Sequence, residues 1–411
     1  MTATGPPRAN TPEQRRILVV LVAAQVLSGA GLAAGITVGA LLAQELLGST
    51  GLAGLPTTLF TIGSAVAAVA VGRVSQARGR RPGLASGYLV GTVGSVGVVA
   101  AAITANAVLL FVYGAGTATN LQARYAGADL APAAGRARAV SIVLVATTVG
   151  GVIGPNLTAL TGTLAGSWGI PPLAGPFLLA AAAYGTAAAV LGALLRPDPL
   201  RRARELGDGP VAQEAGAPAP PSPPGGVVPG AAVMILTQLV MVAVMTMTPV
   251  HLLEHGHGVS AAGAVIALHV AAMYLPSPLT GWLVDRFGRV PVAASSGITL
   301  LVSGVLGAVA PDDSVALSAV ALVLLGLGWN LGLLSGTAMI TDAVPLARRA
   351  RTQGTVDVGI ALSGAGGGLV SGLVVAGAGY ATLALGGGIV ALLILPFLTR
   401  ARAAATASAR R

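Results

Sequence analysis

The chain has 411 residues, of which 54% are hydrophobic and only 9% charged. No single soluble core of this length hides that much apolar surface, so an ordinary soluble domain is excluded and the bilayer is the natural solvent. Cysteine is absent, which excludes disulfides, thiolate metal sites and cysteine chemistry.

A membrane helix needs about 20 mostly apolar residues. Spans are predicted near 17–42, 52–72, 83–104, 107–128, 139–164, 172–195, 229–250, 260–282, 292–310, 315–338, 353–377 and 379–398. The first apolar run, Ile17 to Leu42, is too long for a signal peptide and reads as the first span. Between the sixth and seventh spans, Arg196 to Pro229 is polar and rich in Pro, Ala and Gly, and includes AGAPAPPSPPGG. That composition predicts a disordered or extended linker. The last two spans break at Gly377 to Gly379. The expectation is an all-α integral membrane protein with twelve transmembrane helices: a six-helix bundle over 1–195, a linker over 196–228 and a second bundle over 229–411. The 59 glycines suit helices whose backbones approach closely.

The formal charge of +10 and the pI near 11.2 would suit nucleic acid. The placement of the charge argues otherwise. All 23 basic residues are arginine, and the span map puts all of them on one side. The opposite loops carry Glu45, Glu254, Asp312 and Asp313 with His251, His255 and His257. Arginine retained on one side marks the cytoplasmic face, so both termini are expected there and no nucleic-acid partner is expected.

The sequence repeats itself. Gly72, Gly79, Arg80 and Pro82 follow the second span at the spacing of Gly281, Gly288, Arg289 and Pro291 after the eighth. Asp129, Pro132, Arg136 and Arg138 match Asp342, Pro345, Arg349 and Arg351 at identical spacings after the fourth and tenth. Parallel repeated halves are a transporter architecture. The segment from Gly281 to Arg289, GWLVDRFGR, resembles the signature loop of the major facilitator superfamily. That resemblance implies two six-helix bundles rocking about a midplane site, closed by a latch of loop charges. Asp285, Arg286 and Arg289 match the latch, with Arg80, Arg81, Asp129 and Asp342 as its further candidates. Gln76 stands where the first copy would have its acid, so that latch is expected to be weaker or differently shaped. Gly150 to Pro155 resembles the Gly-rich element of drug/proton antiporters but lacks its trailing glycines, and reads as a close-packed, bendable helix.

Polar groups inside a bilayer are costly and each is a functional candidate. In the expected cavity-lining spans these are Gln25, Asn120, Gln122, Arg124, Gln238, Trp329 and Asn330, each with helix–helix hydrogen bonding as the alternative. Met241 and Met245 share a face of the seventh span, and His269 and Met273 share a face of the eighth. Met241 and His269 both lie roughly 13 Å below the outer ends of their helices. Thioethers with imidazole favour Cu(I) over harder ions, while methionine in a helix is also common core filler. MxxxM followed by HxxxM resembles the CcoA-like copper transporters of the major facilitator superfamily, which implies copper import into bacteria through Met241, Met245, His269 and Met273. Relatives with similar motifs are associated with riboflavin. His251, Glu254, His255 and His257 could collect a metal ion at the outer end, or form an ordinary solvated loop.

The resulting expectation is a copper importer of the bacterial cytoplasmic membrane working by alternating access, with copper as cargo, no resident cofactor, no enzymatic activity and a monomeric state. The alternative is a carrier of a small organic molecule, riboflavin-like or a drug. Aromatic residues are only 3% of the chain, which favours a small cargo, although Trp329 and Tyr274 could still stack on a ring.

Overall fold

A computed structural model describes residues 11–47, 55–104, 110–207 and 227–399. The described residues are helical, with no strand among them. In the first half, α1 (Pro12–Leu47), α2 (Leu55–Arg78), α3 (Arg80–Thr104) and α4 (Leu110–Ala128) are followed by α5 (Arg136–Asn156) and α6 (Thr158–Ser167), which together make the fifth span. The sixth span is α7 (Gly175–Leu194), and a short α8 (Pro199–Gly207) follows it. In the second half, α9 (Val227–Glu254) is the seventh span, and α10 (Val259–Tyr274) with α11 (Ser277–Phe287) forms the eighth. Then come α12 (Arg289–Val309), α13 (Val315–Ala343) and α14 (Arg349–Ala391).

Nine stretches of the described residues are long and apolar enough to cross a bilayer. The last, Arg349–Thr399, has 51 residues and is two spans, because Gly379 breaks α14 with φ 83° and ψ 167°. That left-handed φ is open to glycine, so the chain turns there without strain. With α2 and α4 the count is twelve.

Helices α1, α3, α4, α5 and α7 pack together, and α9, α10, α12, α13 and α14 form a second group. Two seams join the groups: α2 against α14, and α5 against α11. Glycine sets the spacing of both. A Cβ at Gly354 would lie 2.6 Å from Ala68 O and 3.0 Å from the Gly72 Cα, and one at Gly281 would lie 2.6 Å from Ser141 Oγ. Gly150 meets the α1 backbone at Val26 and Ala30, so the fifth-span glycines serve helix packing.

The linker expectation needs correction. Pro199–Gly207 is helical, with Leu200 and Ala203 buried. Asp198 starts that helix by accepting from Leu200 N and Arg201 N, both at 3.1 Å. Its other oxygen accepts from Arg81 N at the start of α3 at 2.7 Å. Residues 208–226 of the predicted linker lie outside the described residues, and 227–228, also predicted as linker, already belong to α9. The start of α1 and the end of the described chain both lie at the Arg-rich, basic end of the molecule. Gln14 donates to Gly127 O at 2.8 Å, and Leu398 packs with Val233 and Met339.

Candidate functional site

Two arginine–aspartate triads tie the halves together at the basic end. In the first, Asp129 accepts from Arg80 Nε at 2.7 Å and faces Arg349 Nη1 at 3.9 Å. In the second, Asp342 accepts from Arg289 Nε at 2.8 Å and from Arg136 Nη1 at 2.6 Å. The repeat relates them: each aspartate takes one arginine from its own half and one from the other. Arg80 and Asp129 are fully buried, and Arg80 also donates to Gln353 Oε1 at 2.5 Å. The second triad is partly exposed, and Arg289 reaches Ala133 O at 2.8 Å.

The loop acids act as helix caps across the seams. Asp285 accepts from Ala137 N at 3.2 Å and Arg138 N at 3.0 Å, at the start of α5. A carboxylate there satisfies free amide groups and the positive end of the helix dipole. Its repeat partner Gln76 accepts from Ala350 N at 2.9 Å and Arg351 N at 3.3 Å, at the start of α14. Gln76 also donates to Ala347 O at 2.7 Å and Leu346 O at 3.2 Å. The amide uses both ends, which a carboxylate could not do. Gln76→Glu is therefore expected to weaken this seam although it restores the acid of the second copy. The Ala347 carbonyl loses its donor, Leu346 O keeps only the long 3.5 Å contact from Arg204, and both face a negative charge, a cost of about 1–3 kcal/mol. Thermal melting of the variant checks this, and an unchanged or raised midpoint would contradict it.

Deeper in, Arg124 of α4 meets Asp357 of α14 at 2.9 Å, with both side chains buried. Tyr125 OH donates to the same carboxylate at 3.0 Å, and Arg124 Nε donates to Thr337 Oγ1 of α13 at 3.2 Å. Arg124 is thus a cross-half ion-pair residue rather than a cavity or interfacial one. Two further latch candidates stand apart. Arg81 stays within its own half, donating through Nε to Gly192 O at 2.6 Å, and Arg286 is exposed. The triads, the two caps and the Arg124–Asp357 pair all join the halves toward the basic end, so the molecule is closed there.

The polar candidates of the first half are occupied in holding helices together. Gln25 donates to Thr147 Oγ1 at 3.0 Å and Asn120 O at 3.2 Å, and accepts from Tyr88 OH at 2.8 Å. Asn120 donates to Ser28 Oγ at 2.8 Å, and Gln122 to Ala68 O at 2.7 Å. These groups are the interhelical hydrogen bonds of a membrane bundle.

The second half keeps an amide and aromatic set within reach. Trp329 of α13 donates its indole N–H to Gln238 Oε1 of α9 at 2.7 Å. Tyr274 of α10 meets Trp329 edge to face, with ring centroids 5.6 Å apart. Trp329 is buried, whereas Gln238 and Tyr274 are only partly covered. Asn330 donates to Met273 O at 2.6 Å and Ser277 Oγ at 2.7 Å, while its buried Oδ1 has no hydrogen-bond partner among the described residues.

Met241 and Met273 are buried in one apolar cluster with Trp329, and Met245 packs against it partly covered. His269 is fully buried and bonds through Nδ1 to Leu322 O of α13 at 2.8 Å. Its Nε2 has no hydrogen-bond partner among the described residues. Gly326 lies against the His269 carbonyl, so α10 sits close on α13.

At the end opposite the arginines, the histidines gather around an acid other than the predicted one. His251 Nε2 and His255 Nε2 each lie 3.5 Å from a carboxylate oxygen of Asp312. His257 Nε2 bonds to the Asp312 main-chain oxygen at 2.9 Å. Glu254 is exposed at the end of α9 and is outside this group.

Sequence reasoning missed Asp357, Gln353, Tyr125 and Asp312 as partners. The repeat held a usable signal for the triads, since Arg136 and Arg349 occupy matching positions after Asp129 and Asp342.

A transmembrane bundle of repeated six-helix halves, sealed at one end by exchanged charges, is the architecture of a membrane carrier. The family model of the Major Facilitator Superfamily matches residues 21–273 and 230–410, and the chain belongs to that superfamily. It is 56% identical over 400 residues to the uncharacterized MFS-type transporter YdeG of Bacillus subtilis (strain 168), covering 94% of this chain and 92% of that one. It is 34% identical over 355 residues to the riboflavin transporter RfnT of Brucella anthropi, covering 84% and 85%. In fold it is similar to the human organic anion transporter MFSD10, with a TM-score of 0.77 at 16% identity, covering 94% of this chain and 100% of that one. The chain is therefore a multi-pass membrane transporter of this superfamily.

Proposed function

We propose that this transporter carries a small, planar, polar organic molecule, of the riboflavin type, by alternating access across a bacterial cytoplasmic membrane. The observation that carries the reading is the set of Gln238, Tyr274 and Trp329, contributed by three helices of the second half, in which Gln238 and Tyr274 are partly covered and bond to or pack against the buried Trp329. An aromatic face stacks on a flat ring, and the amide beside it reads the ring's donors and acceptors. Similarity to the riboflavin transporter RfnT supports the same cargo class. One-sided arginine supports a cytoplasmic basic end with both termini, and the bundles 1–195 and 229–411 as the moving halves. On that orientation the described state is closed to the cytoplasm.

Copper import through Met241, Met245, His269 and Met273 is the second reading. It is favoured by His269, whose Nδ1 contact leaves a buried Nε2 free to ligate. Uptake into proteoliposomes separates the two. Riboflavin should accumulate, and Trp329→Leu should reduce the rate by roughly tenfold, the upper range of a lost aromatic contact. His269→Leu with Met245→Leu should leave riboflavin uptake intact. Copper accumulation lost in that double variant, with no riboflavin uptake by the parent, would replace the first reading by the second.

A further inference from the structure

The histidine group opposite the basic end is independent of either cargo reading. His251 and His255 lie one turn apart at the end of α9, and Asp312 stands in the loop before α13. One ligand atom from each falls within 4.8 Å of the others. Both imidazole Nε2 atoms point at the carboxylate from 3.5 Å, which is too long for a good hydrogen bond. It is close to the separation of two ligands on one ion. Donors about 2.0–2.1 Å from zinc, set at a tetrahedral angle, lie roughly 3.4 Å apart.

The surroundings hold the donors in place. His255 Nδ1 bonds to the His251 main-chain oxygen at 2.7 Å, which fixes the tautomer and leaves its Nε2 lone pair on the Asp312 side. The His251 ring stacks on Tyr380 at 4.3 Å and 11°, and Tyr380 OH is itself bonded to Thr248 Oγ1 at 2.9 Å. His257 holds the Asp312 loop by its main chain. Second contacts of this kind orient ligands in metal sites.

We propose that His251, His255 and Asp312 form a site for a divalent transition ion of the zinc class, on the face opposite the basic end. Two neutral imidazoles and one carboxylate suit borderline ions such as Zn2+ or Cu2+. No thioether is among the three donors, so Cu(I) is disfavoured. Asp312 is 64% exposed, so water completes the coordination and the ion exchanges with solvent. Binding would staple the end of α9 to the loop before α13, both within the second half.

Equilibrium dialysis of the purified full-length protein against Zn2+ should give one ion per chain. His251→Gln, His255→Gln and Asp312→Asn should each weaken binding by at least about tenfold. Zinc should raise the melting temperature of the parent but not of the three variants. With Cu2+ as probe, the paramagnetic resonance spectrum should show two nitrogen donors, and one of them should disappear in each histidine variant. Zinc binding unchanged in all three variants would overturn the proposal. So would binding lost instead on His269→Gln, which would put the ion at the buried Met/His set. Asp312→Asn alters a solvent-facing group, so its result stands even if a histidine variant folds poorly.

Discussion

Asp357→Leu is expected to destabilise the state closed at the basic end by about 3–5 kcal/mol, because it leaves the Arg124 guanidinium buried without its counter-charge. Tyr125 loses its acceptor in the same step. The pair joins α4 to α14 across the halves, so the loss falls on the closed arrangement and not on either bundle alone. The chain has no native cysteine, and a single Ser141→Cys reports opening cleanly. Ser141 is buried at the other seam, against Gly281. Thiol labelling there should accelerate in Asp357→Leu. Arg124→Met combined with Asp357→Leu should recover much of the loss, since replacing both members of a buried pair by apolar groups is often neutral. If the single variant labels no faster than the parent, the pair does not hold the closed state.

Gly354→Leu should act more strongly on transport. Even a Cβ at this position falls 2.6 Å from Ala68 O and 3.0 Å from the Gly72 Cα, and backbone atoms of a neighbouring helix do not yield as a flexible side chain does. The α2–α14 seam is then unable to close, and uptake of any cargo should stop while each bundle stays folded. Fast labelling at Ser141→Cys together with a cooperative melt is the expected pattern. Normal uptake by this variant would mean that α2 and α14 need not touch during the cycle. Gly354→Ala places that Cβ alone against the same backbone atoms and should already impair uptake and speed labelling.

Much of the fold was legible before any coordinates. Apolar runs of membrane length, arginine confined to one side of the span map, and the matched pairs Gly72/Gly281 and Asp129/Asp342 are properties of the chain read in order. Two features were not legible. Pro199–Gly207 sits in a segment whose overall composition reads as linker. It is helical because Asp198 caps it and its apolar side meets the bundle. Gln76 looked like a weakened copy of Asp285, because a single position in a motif does not reveal that two carbonyls of the other half lie within reach of an amide.

The candidate sites divide in the same way. Methionine and histidine spacing marked which residues share a helix face, since that follows from 3.6 residues per turn. It said nothing about what those faces meet. The His269 ring turns to the Leu322 carbonyl on α13, Gln25 and Asn120 are used within their own bundle, and His251 and His255 meet Asp312 rather than Glu254. The sequence by itself determined the solvent, the count of spans, the internal repeat and the side on which charge gathers, because each depends on hydrophobicity and spacing along one chain. Tertiary structure decided the partners. Arg124 and Asp357 stand 233 positions apart, and no local pattern links them. They come within 2.9 Å because two packed bundles bring α4 and α14 together, and among the described residues burial leaves each charge no other partner of opposite sign as close.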